Sequence, residues 1–323
     1  MKDISLSDIE NAAKELEGRI VKTPTLPLKS SKIKSGLPLQ SDVYLKLELY
    51  QHTGSFKARG NLLAVNGLSS EQKDNGVSAV SAGNHALAVS WAAKNVGTHA
   101  KLFMPKSADP FRIQGCRDMN AEVSLLSNIA LCFEQLNQSS VKENRTILHP
   151  FDSRFMSLGS GTLGLEIFDS IPDLDVAILP VGGGGLISGA ATALRLKNPN
   201  LQIFGIEPTG ADSMAKSFIE GHAVTLDSVS TIADSLGAPM ASKYSYELTR
   251  DSVDKIYTVE DEELRKAMRF IQTHLNLWVE PACAASMAGL LGPVKKYCVG
   301  KSVAIIACGS NISFEKFSSI LRE

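Results

Sequence analysis

The chain has 323 residues, 44% hydrophobic and 21% charged, enough for two domains or one large one with ample core. With 33 Lys and Arg against 34 Asp and Glu, the net charge of -1 argues against nucleic acid or an anionic membrane as partner. No apolar run approaches the roughly 18 residues that span a bilayer, MKDISLSDIE lacks a signal peptide's apolar region, and Cys116, Cys132, Cys283, Cys298 and Cys308 form no CxxC pair, so a reduced, cytoplasmic interior is expected.

In chain order, residues 7–17 read as a helix, with a capping box from Ser7 to Glu10 and Ile9, Ala12, Ala13 and Leu16 on one face. Pro24 and Pro27 mark extended chain. Val43 to Leu49 alternates apolar and polar residues, as a half-buried strand does. His52, Thr53, Gly54 and Ser55 break that pattern with turn-forming residues. Phe56 and Lys57 follow, then helix-compatible sequence from Ala58 to Val65.

From Val77 strands and helices alternate. GVSAV is a strand, SAGN a turn, and His85 to Asn95 an alanine-rich helix. AKLFMP and AEVSLL are strands, followed by a helix from Ile129 to about Gln138 and then RTILHP. A second series starts near Gly161, with a helix to Ser170, strand VAILPV, a helix from Leu186 and strand QIFGIEP. Such alternation predicts parallel strands joined by right-handed crossovers. The break near 148–160 predicts two α/β lobes, a small one (53–150) inserted into a large one (1–52 and 151–323). The pattern loosens over 208–256. Thr258 and Asp261 then start a helix from Glu260 to His274, and SVAIIAC is the last strand before a terminal helix.

Lys57 lies between a tight turn and a helix start, behind an aromatic residue, where desolvation would favour its neutral, nucleophilic amine. A lone lysine there is ordinarily a surface residue. Gly182, Gly183, Gly184 and Gly185 follow a strand and precede a helix, so their backbone N–H groups can wrap a phosphate. A plain tight turn competes with that reading, as does a nucleotide loop, although four consecutive glycines do not match G-x-G-x-x-G. SAGNH (81–85) sits at a strand's C-terminal end, where open α/β sheets place ligands; taken alone, it is an Asn helix cap before a packed His. Phe56 and Cys308, taken alone, are core residues.

LKLELYQHTGSFKARG (45–60), SAGNH, PVGGGGLISG (180–189), VEPA (279–282) and CGSN (308–311) occur in one order, and together they resemble the fold type II pyridoxal-phosphate (PLP) enzymes, in the serine/threonine dehydratase branch that also contains serine racemase. The resemblance covers the chain from about residue 20 to its end. It implies two open twisted α/β lobes of the tryptophan synthase β type, with PLP in the cleft between them, and a homodimer. It implies that Lys57 carries the cofactor, Phe56 walls it, Gly182–Gly185 cradle its phosphate, Asn84 binds its ring hydroxyl and Cys308 faces its pyridine nitrogen. Ser81, Ala82, Gly83, Asn84 and His85 would receive the substrate carboxylate. Glu207, the Ala211 carbonyl and Ser213 match the family's cation site. Members with a divalent metal carry an acidic residue where Ser213 stands, so a monovalent ion such as K⁺ suits this chain better than Mg²⁺, and Asp212 is a further candidate ligand.

The activity implied is dehydration and deamination of a β-hydroxy amino acid, such as L-threonine or L-serine, to a 2-oxo acid and ammonia. Lys57 would be the base for the α-proton. A neutral thiol at Cys308 cannot hold the ring nitrogen protonated as a carboxylate would, which favours loss of a β-leaving group. Serine racemases carry a serine where this chain has Ala82, which cannot donate a proton, so racemisation is the alternative. 3-Hydroxyaspartate dehydratase on the same scaffold is an alternative beside it, while a β-replacement synthase such as a cysteine synthase and a non-catalytic PLP protein lie further off. A nucleotide-binding dehydrogenase is the fallback for the bare α/β pattern. HPFDSRFMSLGSGT departs from the family's HPFDDPxxxAGQGT at Ser153, Arg154, Phe155, Ser157, Leu158 and Ser160, positions expected to border the cleft. The biosynthetic enzymes' effector domain is not expected, because the sequence stops at Glu323.

Overall fold

The computed structural model describes residues 4–171 and 173–322. Ten strands form two sheets: β1 (Thr25–Pro27), β2 (Asp42–Lys46), β3 (Val77–Val80), β4 (Ala100–Pro105), β5 (Glu122–Leu126), β6 (Thr146–Ile147), β7 (Val176–Pro180), β8 (Gln202–Pro208), β9 (Lys255–Val259) and β10 (Ser302–Ile306). The larger sheet has the order β1-β2-β10-β7-β8-β9, parallel except for the edge pair β1–β2; the smaller, β5-β4-β3-β6, is wholly parallel. Helices cover both faces, so central strands such as VAILP in β7 are buried at every residue. Two separate, largely parallel sheets flanked by helices are what the strand–helix alternation in the sequence leads one to expect.

Several local expectations shift. The first helix is Leu6–Leu16, and its capping box runs from Ser5 to Asp8, not Ser7 to Glu10: the Ser5 hydroxyl accepts from Asp8 N and the Asp8 carboxylate accepts from Ser5 N. The strand over 43–49 ends at Lys46, and its polar positions are not solvated, because Lys46 and Glu48 are completely buried. The helix expected from Glu260 begins at Asp261, capped by Glu260 with Glu263 reaching back. The loose region holds two helices, Ser213–Glu220 and Lys243–Ser252. An unanticipated helix, Pro110–Asp118, is capped by Asp109 with proline at its first turn.

The helix expected to begin near Gly161 spans Arg154–Ser170 and packs on the helix Lys57–Asn66 so closely that a Cβ on Gly159 would lie 2.3 Å from Gly60 N. This packing gives partners to four of the six divergent positions in 153–160. Ser157 Oγ meets Ser188 Oγ at 2.8 Å, Leu158 joins a core with Ile4 and Ile9, Ser160 bonds back to Met156 O, and Arg154 pairs with Asp8 at 3.0 Å. These four side chains have partners in helix packing.

Candidate active site

The loops after β3, β7 and β10 all leave the C-terminal ends of parallel strands, and they carry SAGNH, the glycine run and CGSN. The lysine turn is stitched to the last of these. Thr53 and Gly54 take successive left-handed conformations (φ 62° and 71°), reversing the chain in two residues. Phe56 N then donates to Cys308 O (3.2 Å), Ser310 N to Gly54 O (3.1 Å) and Asn311 Nδ2 to Thr53 O (2.6 Å). Lys57 opens the helix, with its amine 5.0 Å from the centre of the Phe56 ring and donating to the Pro150 carbonyl. Burial lowers the Lys57 pKa to about 8, so a minor but kinetically useful fraction of the amine, roughly a fifth, is neutral near physiological pH.

Behind that helix lies a charge cluster with no counterpart in the sequence-based reading. Arg59 Nε and Nη2 bind both oxygens of Glu48, and its Nη1 reaches Glu166 at 2.7 Å. Glu166 also takes Lys46 Nζ at 2.6 Å. Burial opposes the Arg59 charge, but Glu48 and Glu166 outweigh it and raise its pKa; for Lys46 burial wins and lowers the pKa against the pull of Glu166.

The glycine run is shaped by close neighbours. A Cβ on Gly182 would lie 2.9 Å from the Leu236 backbone, one on Gly183 2.5 Å from the Phe151 ring, and one on Gly185 2.9 Å from Phe151 Cβ. Gly184 has φ 93°, and Ser245 Oγ donates to Gly183 O at 2.8 Å. No side chain fits along this loop.

In SAGNH the Ser81 hydroxyl accepts from Gly83 N at 3.1 Å. The helix N-cap is Gly83, so Asn84 is the first helical residue and not the cap. His85 Nε2 donates to Leu148 O (2.9 Å) and Nδ1 accepts from Asn61 (3.2 Å); burial lowers its pKa to about 3, so the imidazole is neutral. Asn84 Nδ2 donates to Glu280 Oε1 at 2.6 Å, and its Oδ1 accepts from Asn311 at 2.7 Å. Glu280 therefore joins the site, although VEPA carried no role for it. The Cys308 thiol is raised well above its usual pKa by a hydrogen bond with Cys283 and by burial, which keeps it neutral.

Glu207 is fully buried, and its carboxylate accepts from Met214 N (2.9 Å) and Ala215 N (2.7 Å) at the start of the helix Ser213–Glu220. Burial pushes its pKa up to about 8. Ala211 and Ser213 are buried beside it in sequence, and Ser213 Oγ has no hydrogen-bond partner. Asp212 turns instead to Lys216 at 3.0 Å. Among the described residues no group of three His, Cys, Asp or Glu is arranged to hold a metal ion.

A family model described as pyridoxal-phosphate dependent enzyme matches residues 16–309. The chain is 44% identical over 276 residues to a phenylserine dehydratase of Ralstonia pickettii, covering 85% of each chain. It is 37% identical to the catabolic L-threonine dehydratase TdcB of Staphylococcus aureus, covering 98% of this chain and 92% of that one. Among solved structures, maize serine racemase superposes with a TM-score of 0.91 at 30% identity, over 98% of this chain and 97% of that one.

Proposed function

Because this chain belongs to the pyridoxal-phosphate dependent enzyme family and is a fold type II, β-eliminating ammonia-lyase within it, we propose that the cleft beside Lys57 dehydrates a β-hydroxy amino acid whose side chain is phenyl, methyl or hydrogen, releasing a 2-oxo acid and ammonia. The observation that carries the reading is the Lys57 amine itself, desolvated to a pKa of about 8 and held beside the Phe56 ring. The likeness to phenylserine dehydratase puts phenylserine first among the substrates to test.

The residues present fit the cofactor. Lys57 would hold it, Phe56 would wall it, the side-chain-free backbone of Gly182–Gly185 would take its phosphate, Asn84 its ring oxygen and the neutral Cys308 thiol its ring nitrogen. When bound, PLP supplies an electron sink for the negative charge left on the substrate's α-carbon. The chain's own groups do the rest. Backbone N–H groups of Ser81–His85, at a helix start, bind and orient the substrate carboxylate. The freed Lys57 amine takes the α-proton as general base. Ala82 offers no proton on the opposite side, which weighs against a racemase.

The donor set at Glu207, Ala211 O and the unpartnered Ser213 hydroxyl fits a monovalent cation and lacks the carboxylates a divalent one asks for. The reading also takes 53–150 as the inserted lobe and 1–52 with 151–323 as the large one, supported by the large sheet drawing β1 and β2 from before the small sheet and β7 to β10 from after it. A cytoplasmic location, supported by five free, buried cysteines, and a homodimer, carried over from the family resemblance, complete it.

The test is an assay of purified protein with PLP and L-phenylserine, L-threonine, L-serine or 3-hydroxyaspartate, following 2-oxo acid and the chirality of remaining substrate. Oxo acid from at least one substrate, abolished in Lys57→Ala, is expected. Inversion of configuration without oxo acid would replace the reading with a racemase.

A further inference from the structure

Arg112 belongs to the helix Pro110–Asp118 of the small lobe, yet the residue is only 2% exposed and its guanidinium is spent almost entirely on the other lobe. Nε donates to Asn311 O at 2.8 Å, Nη1 to Asp234 Oδ2 at 2.9 Å, and Nη2 to Glu280 Oε2 at 3.0 Å. Three separate segments of the large lobe meet on one planar fork, a geometry an ammonium cannot reproduce. Three residues earlier, Asp109 accepts from Ser313 N (3.2 Å) and Ser313 Oγ (3.0 Å), so the start of this helix is tied across the cleft at two points.

We infer that Arg112 is a positioning residue: it clasps the small lobe over the cleft and, through Glu280, fixes which way the Asn84 amide faces. The inference rests on reading this cleft as the PLP site. Glu280 is completely buried and accepts from three donors: Arg112, Ser235 Oγ (2.9 Å) and Asn84 Nδ2 (2.6 Å). Such an acceptor must be a carboxylate. Burial pushes the Glu280 pKa up and Arg112 opposes that push. The other ionisable groups facing it are Asp234, itself paired with Lys316 at 2.8 Å, and the Cys308 thiol.

The consequence falls on Asn84. An amide nitrogen has two hydrogens and the amide oxygen has none. Glu280 takes one hydrogen, while Asn311 Nδ2 donates to the Asn84 oxygen, so the amide cannot flip. Its second hydrogen makes only a long contact, 3.5 Å to Ser235 Oγ, and would turn from it to the cofactor's ring oxygen. A protonated Glu280 would turn from acceptor to donor at one oxygen and remove that lock. Asn311 closes the circuit, because its own carbonyl accepts from Arg112. Arg112 Nη1 also lies 3.5 Å from Ala82 O, which ties the clasp to the loop expected to receive the substrate carboxylate.

The experiment titrates apoprotein with PLP, following the visible band of the bound cofactor and its position from pH 6 to 9, for wild type, Arg112→Gln and Arg112→Lys. Arg112→Gln is expected to weaken PLP binding by roughly ten-fold, the size of effect typical when the partner that orients a binding residue is lost, and to change how the band moves with pH. Arg112→Lys, which keeps the charge but not the fork, should fall between. Arg112→Gln with wild-type affinity and an unchanged pH profile would overturn the inference. Should Arg112→Gln not fold, Arg112→Lys decides alone, and wild-type behaviour in it overturns the fork argument. Wild-type protein that takes up no PLP would refute the reading of the site, a result distinct from both.

Discussion

Arg59 grips Glu48 with two parallel bonds, Nε to Oε2 at 2.8 Å and Nη2 to Oε1 at 2.7 Å, and neither side chain reaches solvent. The pair joins the helix that starts at Lys57 to the segment just before the lysine turn, and Glu166 and Lys46 complete a balanced set of two cations and two carboxylates. Arg59→Ala would strand Glu48 without its cation in the interior. Breaking a buried pair in this way costs about 3–5 kcal/mol. The expected result is a markedly lower urea midpoint at neutral pH, with Arg59→Lys recovering only part; an unchanged midpoint would show the pair to be idle.

Lys57 sets a pH dependence. Its pKa is lowered to about 8 in the folded protein against 10.5 for the free side chain, so between those values the unfolded chain binds more protons and stability rises with pH. The same shift governs reactivity, since only the neutral amine attacks an aldehyde. Capture of PLP by apoprotein should therefore accelerate as pH rises toward about 8 and level off above it. Stopped-flow absorbance measures this directly, and a rate still climbing steeply between pH 9 and 10 would mean that the amine is solvated.

Gly184 combines a φ of 93° with a neighbour, Ser245 Cβ, that an added Cβ would meet at 2.8 Å. Alanine there pays a left-handed penalty of about 1–2 kcal/mol before any clash, and relief requires moving the loop. Gly184→Ala should bind PLP roughly ten-fold more weakly or worse while binding pyridoxal, which has no phosphate, as wild type does. Equal losses for both ligands would remove the phosphate role from this loop.

The Glu207 site gives a cation prediction. The buried Glu207 carboxyl, whose pKa burial raises to about 8, has only two backbone donors beside an unpartnered hydroxyl at Ser213, so above about pH 8, where it is ionised, it should gain from a monovalent ion. Replacing K⁺ with tetramethylammonium at constant ionic strength is expected to lower the melting temperature of wild type and to leave that of Glu207→Gln unmoved. If both proteins ignore the exchange, the site holds no ion.

Much of the site was legible because its pieces are local. The turn before Lys57, the glycine run between β7 and its helix, and the loop after β3 each need particular residue types within a few positions, and those types carry the chemistry directly. What failed to show was partnership. Asp109 and Pro110 do signal a helix start and could have revealed the helix Pro110–Asp118, but nothing near Arg112 indicates that its guanidinium is shared with residues 122, 168 and 199 positions further on. The alternation at 43–49 misled for the same reason: it located a strand, while the depth of Lys46 and Glu48 depended on Arg59 and Glu166 arriving opposite them.

The sequence by itself thus determined the class of fold and singled out the candidate reacting groups, because parallel strands, tight turns and a lysine at a helix start are specified by short-range pattern. Only the tertiary structure decided which charges are buried and which partners the Asn84 amide and the Arg112 guanidinium meet. A buried charge is tolerated only where opposite charges and donors converge on it in space, and that convergence is a property of the folded chain.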